Sequence, residues 1–330
     1  MRIFVSQPVA AAVVAELSAA HDVTLWPGPY PVPPRALPEA LAGAEGALTM
    51  LTDHLGPSIL QSAPRLRVVA NMAVGFDNID VKTATGLGIL VTNTPDVLTE
   101  ATAEFTWTLI LALARGLIPA RDALYGGAWT HWAPDGFLGR ELFGKTLGIV
   151  GLGRIGRAVA RRAEGFSMNV VGLGHRGPGP YPRLPPDEFL ARADVVSLHV
   201  PLSADTRRLA DGPFFSAMKP GALFINTARG GLVDETALLA ALERGHLAGA
   251  ALDVFQQEPI DGRHPLAAHP RVLVTPHMAS ATVETRTAMA RRAARNLMAG
   301  LAGERPADLV NPEAFPGRAG EGFGPAITKS

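Results

Sequence analysis

The chain contains 330 residues, enough for two domains that each bury a core. Lys and Arg total 30 and Asp and Glu total 30, so the zero net charge predicts neither a nucleic-acid partner nor binding to an anionic membrane. The absence of cysteine excludes disulfides, thiol nucleophiles and iron–sulfur clusters, and it fits a reducing compartment. The sequence predicts no metal site. Because the N-terminus lacks a signal-peptide pattern, we expect a cytoplasmic protein.

Short β-rich runs alternate with longer helical patterns along the chain, which predicts an α/β protein with parallel sheets and crossover helices. A helical segment at about 100–117 separates two series of strands, and a loop-like stretch with two tryptophans follows it. The first series predicts one doubly wound domain, with strands at residues 2–5, 23–26, 47–50, 68–72 and 89–92.

The second series has six strands, the number in a dinucleotide-binding sheet. After Thr282 the pattern is helical again, and from Gly317 the tail is rich in glycine. The six predicted strands lie at residues 147–151, 170–173, 195–200, 223–226, 250–254 and 272–275.

Residues 151–156 read GLGRIG and lie between an apolar strand and a helical run. In that setting Gly151 makes a tight turn, Gly153 lets the backbone approach a pyrophosphate and Gly156 allows close helix packing. The helix N-terminus adds free N–H groups and a positive dipole end. This pattern predicts dinucleotide binding, the alternative being a glycine-rich turn used only for packing.

A second phosphate-binding pattern, GRELFGKT at 139–146, stands in the wrong context. A P-loop follows a strand and opens a helix, whereas here a Trp- and Pro-rich loop precedes the motif and a strand follows it. We therefore interpret Lys145 as a turn residue and do not expect a nucleotide triphosphatase.

The cofactor type depends on the end of the second strand of this series, where the chain reads VVGLGHRG. Gly174 stands where an NAD enzyme has an acidic residue for the ribose hydroxyls, and His175 and Arg176 follow. Without a carboxylate to repel it, and with a guanidinium nearby, a 2′-phosphate is expected to bind. The sequence favours NADP; NAD remains the alternative if Arg176 only decorates an exposed turn.

Three polar loops follow the last three strands, and a sheet of order 3-2-1-4-5-6 places their starts side by side. They carry Arg229, Glu258 and His277, a set suited to hydride transfer to a ketone that bears a carboxylate. His277 would protonate the carbonyl oxygen, Glu258 would pair with His277, and Arg229 would bind the carboxylate and polarise the ketone. Each residue alone is also compatible with an ordinary structural role.

Seven segments carry a family resemblance: VGFDNID (74–80), NTPDVLTEATAEFTW (93–107), GKTLGIVGLGRIG (144–156), HVPLSADTRRL (199–209), MKPGALFINTARGGLVDETALLAAL (218–242), GAALDVFQQEP (249–259) and TPHMASAT (275–282). Together they resemble the D-isomer-specific 2-hydroxyacid dehydrogenase family. The resemblance implies two doubly wound parallel-sheet domains, with a Rossmann NAD(P)-binding domain (99–283) inserted into a flavodoxin-like substrate domain (1–98 plus 284–330).

The resemblance also assigns roles position by position. The family's catalytic Arg, Glu and His fall on Arg229, Glu258 and His277, and its carboxylate-binding backbone amides fall on Val74 and Gly75. Asp253 would accept a hydrogen bond from the nicotinamide amide, beside His277. The other implied cofactor contacts are Thr102, Arg154, Ile155, Val200, Pro201, Thr227, Ala228 and Ala279, together with the three loop glycines and His175 and Arg176.

Within the family the chain is most similar to the glyoxylate/hydroxypyruvate reductase group. Leu51 stands where that group lines a small pocket, and Trp132 stands in an arm that reaches the partner's active site, which implies a homodimer. A departure is Met278-Ala279, where the family commonly has an apolar residue and Gly. The expected reaction is NADPH-dependent reduction of glyoxylate or hydroxypyruvate to the D-2-hydroxy acid. The alternatives are an NADH-dependent enzyme for a bulkier 2-keto acid and a dinucleotide-sensing, corepressor-like binding protein.

Overall fold

The computed structural model describes residues 1–174 and 179–316, and the chain forms two compact units. The first unit comprises Met1–Leu98 and the chain from Thr282 onward, and the second comprises Thr99–Ala281. His175 and Arg176, on which the cofactor prediction depends, lie outside the described residues, as does the tail from Gly317.

The first unit contains a five-stranded parallel sheet of order β2-β1-β3-β4-β5. Its central strands are buried on both faces, which is why they read as continuous apolar runs in the sequence. The strands are β1 Arg2–Val5, β2 Asp22–Leu25, β3 Gly46–Thr49, β4 Val68–Asn71 and β5 Leu90–Thr92, and the helices between them are α1 Ala11–Ser18, α2 Leu37–Leu41, α3 Pro57–Gln61 and α4 Val81–Gly86.

The second unit begins with α5 Thr99–Ala114 and α6 Leu117–Tyr125 and contains a seven-stranded parallel sheet. The two parallel sheets confirm the predicted α/β class. The strands are β6 Thr146–Val150, β7 Asn169–Leu173, β8 Arg183–Leu184, β9 Val195–Leu198, β10 Leu223–Asn226, β11 Gly249–Leu252 and β12 Val272–Val274, and the further helices are α7 Arg154–Glu164, α8 Pro186–Arg192, α9 Gly212–Ala217, α10 Glu235–Glu243 and α11 Pro265–Ala268.

The strand order of this sheet, β12-β11-β10-β9-β6-β7-β8, corrects one expectation. The sequence predicts residues 195–200 as the third strand of the order 3-2-1-4-5-6, which lies at the outer edge. In the structure this strand, β9, pairs directly with β6. The edge position belongs to β8, which has only two residues between prolines and therefore gives no period-2 signal. Because β10, β11 and β12 remain neighbours, the three polar loops still begin side by side.

Both faces of the second sheet are covered. On one face Phe215 and Phe224 pack edge to face with ring centroids 5.1 Å apart. On the other face Trp107 of α5 packs against α7, where its indole N–H donates to the carbonyl of Val159 at 2.9 Å. Among the described helices no single one is long and apolar enough to span a membrane; α5 and α6 reach that length and composition only as a pair bent by 61°.

The chain returns to the first unit through α12 Val283–Leu301. Two glycines permit close contact with the sheet: a Cβ on Gly46 would lie 2.8 Å from Leu297, and one on Gly300 would lie 2.7 Å from Val68. Beyond the helix, the buried Asn311 side chain accepts from the N–H of Val91 and donates to the carbonyl of Ile89, both at 2.8 Å. The C-terminal helix is thus part of the core formed by the N-terminal residues.

Candidate active site

The glycine loop joins β6 to α7, and two of its three glycines are required by packing. Gly151 has a φ of +99°, and a Cβ there would lie 2.6 Å from the carbonyl oxygen of His199. A Cβ on Gly156 would lie 2.0 Å from the carbonyl oxygen of Gly151. Gly153 differs, because a Cβ added there meets no atom within 4 Å.

The open space at Gly153 lies at the N-terminus of α7, where Gly153 is the N-cap. Arg154 begins the helix and is exposed, and Ile155 is partly buried. Free N–H groups and the positive helix end suit a pyrophosphate, so the residues present fit a dinucleotide. His199 beside the loop adds no positive charge, because burial lowers the pKa of its ring to about 3.

Other predicted cofactor contacts lie along the same edge. The Thr106 hydroxyl donates to the carbonyl of Thr102 at 2.8 Å and lies 2.9 Å from the hydroxyl of Thr227. These hydrogen bonds link α5 to the end of β10, and the three threonines are buried. Val200 is close to the glycine loop, since a Cβ on Gly151 would lie 2.7 Å from its Cγ1, and Pro201 is exposed.

The ribose end of the dinucleotide site carries no acidic residue at the predicted position. Gly174 has a φ of +132° and donates its N–H to the carbonyl of Leu184 at 3.0 Å. The chain therefore leaves β7 without a side chain at the point where an NAD enzyme presents a carboxylate.

Arg229 is positioned by the residue that ends β10. Asn226 is fully buried, accepts from the N–H of Ala228 at 3.0 Å and donates to the carbonyl of Arg229 at 2.9 Å. The guanidinium of Arg229 in turn donates to the carbonyl of Ala228 at 2.9 Å. Sequence reasoning did not assign this role to Asn226; its one signal was a polar residue that closes an apolar strand.

His277 and Glu258 form the predicted pair. The ring Nδ1 of His277 lies 2.7 Å from Oε2 of Glu258, and Oε1 of Glu258 accepts from the N–H of Phe255 at 2.9 Å. Burial raises the pKa of Glu258, but the hydrogen bond and charge of His277, the Phe255 N–H and the charge of Arg229 outweigh it and hold this pKa below its usual range. Glu258 is therefore a carboxylate at neutral pH.

Asp253 holds the turn that carries His277. Its carboxylate accepts from the Thr275 hydroxyl at 2.6 Å and from the N–H groups of Met278 and Ala279, each at 2.8 Å. Burial raises the pKa of Asp253, although these donors act in the opposite direction. The donors restrain a turn in which His277 adopts a φ of +51°. Sequence reasoning gave Asp253 only a cofactor contact and missed this structural role.

The first unit presents two consecutive N–H groups after β4, those of Val74 and Gly75. The carbonyl of Val74 accepts from the Asn93 amide at 2.8 Å, and the carbonyl of Gly75 accepts from the Asn71 amide at 3.0 Å. Neither N–H has an acceptor among the residues that the structure describes. A loop fixed by its carbonyls with both N–H groups available suits a carboxylate.

Leu51, the other predicted substrate contact of the first unit, lies in the loop after β3 and is partly buried. The loop is closed by Asp53, whose carboxylate accepts from the N–H of Met50 at 2.8 Å. In the second unit Trp132 is 78% exposed, within a stretch that shows many large apolar side chains: Leu117, Ile118, Leu124, Tyr125, Trp129, Phe137, Leu138 and Phe143.

Comparison with known proteins gives a consistent result. Residues 107–279 match the family model "D-isomer specific 2-hydroxyacid dehydrogenase, NAD binding domain". The chain is 46% identical over 324 residues to a glyoxylate reductase of Aeropyrum pernix, covering 94% of this chain and 96% of that protein. A glyoxylate reductase of Pyrococcus furiosus is 42% identical over 324 residues, with coverage of 95% and 96%.

Two solved structures illustrate the range of similar folds. An NADPH-dependent glyoxylate/hydroxypyruvate reductase from Sinorhizobium meliloti, in complex with NADP and malonate, superimposes with a TM-score of 0.84 at 33% identity, covering 96% of this chain and 99% of that one. A D-lactate dehydrogenase from Aquifex aeolicus, complexed with NAD and lactic acid, has a TM-score of 0.84 at 29% identity, with coverage of 94% and 99%.

The loop glycines separate packing from ligand binding. We expect Gly156→Ala to lower the melting temperature, because its Cβ meets the Gly151 carbonyl, whereas Gly153→Ala should fold like the wild type. Gly153→Ala should nevertheless weaken dinucleotide binding about tenfold or more, since the methyl group occupies the space above the helix N-terminus. Fluorescence titration with NADPH and NADH, beside thermal unfolding, measures both effects. Unchanged affinity in Gly153→Ala would contradict the assignment.

Proposed function

The chain belongs to the D-isomer-specific 2-hydroxyacid dehydrogenase family, and from that premise we propose that it reduces glyoxylate or hydroxypyruvate to the D-2-hydroxy acid with NADPH. The predictions of the family and of an NAD(P)-dependent, glyoxylate reductase-like dehydrogenase are confirmed by these relatives. The proposal on the reaction rests on one observation, the 2.7 Å contact between His277 and Glu258, which lie in the loops after β12 and β11, while Arg229 lies in the loop after the neighbouring β10. A cytoplasmic location, which a chain without cysteine fits, is part of the proposal.

The proton chemistry follows from the orientation of His277. When bound, the reduced nicotinamide supplies the hydride. As the carbonyl oxygen of the keto acid becomes negative it requires a proton, and Nε2 of His277 is the ring nitrogen left for this because Nδ1 faces Glu258. Because the pKa of Glu258 is low, its ionised carboxylate stabilises the charged ring of His277 and fixes the orientation of that ring.

Substrate binding is assigned to Arg229 and to the loop of the first unit. The guanidinium of Arg229 offers paired donors that match a carboxylate, and it also polarises the ketone. The N–H groups of Val74 and Gly75 are proposed as further carboxylate donors, and Leu51 as a wall of a small pocket. In this proposal residues 99–283 form the NAD(P)-binding domain, which also carries Arg229, and residues 1–98 plus 284–330 form the substrate domain.

The catalytic assignment is tested by matched histidine variants. We expect His277→Ala to lower kcat by about 10²- to 10⁴-fold, the contribution of a general acid. Glu258→Gln should also lower kcat, because the amide cannot stabilise a charged ring. His269→Ala serves as the control, since His269 lies in the loop before β12 and its ring Nδ1 accepts from the N–H of Arg271. Wild-type turnover in His277→Ala would disprove the role of the histidine.

The cofactor and substrate are tested together by a panel of 2-keto acids with NADPH and NADH. Glyoxylate or hydroxypyruvate with NADPH should give the highest kcat/KM, and Arg176→Ala should lower kcat/KM for NADPH by tenfold or more while leaving that for NADH unchanged. A higher kcat/KM with NADH would disprove the NADP assignment. A higher kcat/KM for phenylpyruvate would favour an enzyme for bulkier acids.

We propose a homodimer from the apolar surface between residues 117 and 143, since a patch of this kind marks an interaction site. Trp132 in the arm is proposed to reach the partner's active site. Light scattering should give twice the chain mass of 34.6 kDa, and replacing Tyr125 and Leu138 by Ser should produce monomers. Trp132→Ala should keep the dimer and lower kcat/KM for the keto acid. A monomer at micromolar concentration would contradict this proposal.

A further inference from the structure

Glu258 is held by a short loop whose own attachment lies outside the catalytic residues. Oε1 of Glu258 accepts from the N–H of Phe255, so its position depends on how residues 255 and 256 are fixed. The next N–H along the chain, that of Gln256, donates to Oε1 of Glu235 at 2.7 Å. Two consecutive N–H groups thus bind two glutamates, one in the candidate active site and one at the start of α10.

The side chain of Glu235 is held on both sides by its neighbours. Its side chain is only 19% exposed, and its second oxygen lies 3.5 Å from Nε2 of His264. His264 packs edge-on against the ring of Phe255, with centroids 5.7 Å apart. One carboxylate oxygen of Glu235 thus faces His264, and the other binds the loop.

Two further contacts fix the same peptide. The side-chain amide of Gln256 donates to the carbonyl of Val233 at 2.6 Å. Gly230, the residue after Arg229, packs against the backbone of Phe255 so closely that a Cβ there would lie 1.9 Å from its carbonyl carbon. The loop that carries Glu258 is thus clamped to the segment that carries Arg229, and Glu235 supplies the charged contact of that clamp.

We propose that Glu235 is a positioning residue for the reaction: by binding the N–H of Gln256, it sets the direction of the Phe255 N–H and thereby the Glu258 carboxylate that faces His277. This inference rests on the proposed catalytic role of Glu258. A purely structural explanation also exists, since an acidic residue in the first turn stabilises a helix through its dipole. The two explanations require different properties of the side chain.

Two substitutions separate reach from charge. Glu235→Asp keeps the charge at the helix N-terminus but is too short to reach the Gln256 N–H, whereas Glu235→Gln loses the charge and keeps an oxygen at the right distance. Positioning predicts that Glu235→Asp lowers kcat about tenfold with little change in KM, and that Glu235→Gln stays close to the wild type. Helix stabilisation predicts the reverse order, in melting temperature as well as in activity. Glu243→Ala, at the exposed end of α10, is the matched control.

A double-mutant cycle with Glu258→Gln tests whether the effect passes through Glu258. If it does, Glu235→Asp should lower kcat far less in the Glu258→Gln background than in the wild type. If the effects of Glu235→Asp and Glu258→Gln on kcat multiply in the double variant, or if Glu235→Asp leaves kcat unchanged, the inference is overturned while the proposed function stays intact. Wild-type activity in Glu258→Gln would instead remove the proposed role of Glu258, and with it this inference.

Discussion

The parallel register of β10, β11 and β12 is the constraint on which the candidate site depends. Asn226, Leu252 and Val274 are paired across the three strands, so the three strands end at the same level of the sheet. The hydrogen bonds continue for one residue beyond the strands, from the N–H of Asp253 to Asn226 and from that of Thr275 to Leu252. The strand register therefore fixes the level at which the three loops of the second unit begin.

The polar groups that leave this edge are buried, and the edge is stable because they bind one another. Asn226 and Asp253 are both fully buried, and an unpaired group of either kind would cost about 1–3 kcal/mol. Asn226 uses its amide to shape the turn before Arg229, and Asp253 uses its carboxylate to shape the turn that includes His277. The same hydrogen bonds that satisfy buried groups thus also shape the turns that carry the candidate catalytic side chains.

Local pattern was sufficient to predict much of this arrangement. Continuous apolar runs predicted all but one of the described strands, and the Gly-x-Gly-x-x-Gly spacing identified the turn before α7 because it lies between an apolar strand and a helical run. The positions of Arg229, Glu258 and His277 could be predicted because each lies in the loop that follows one of three neighbouring strands. The short β8 could not, since two residues carry no periodicity. The roles of Gly230 and Glu235 were also missed, because each depends on contact with residues about 20 positions away in sequence.

Although the chain has no net charge, the groups around Glu258 decide whether that carboxyl is ionised. Burial by itself raises the pKa of Glu258, and a protonated carboxyl could not stabilise a charged His277. The hydrogen bond and charge of His277 do most to lower this pKa, and the Phe255 N–H and the charge of Arg229 contribute less. Arg229, the proposed donor to a substrate carboxylate, thus also contributes through its charge to the low pKa of Glu258. A substitution that removes the charge of Arg229 would therefore raise the pKa of Glu258 as well as remove the proposed substrate contact.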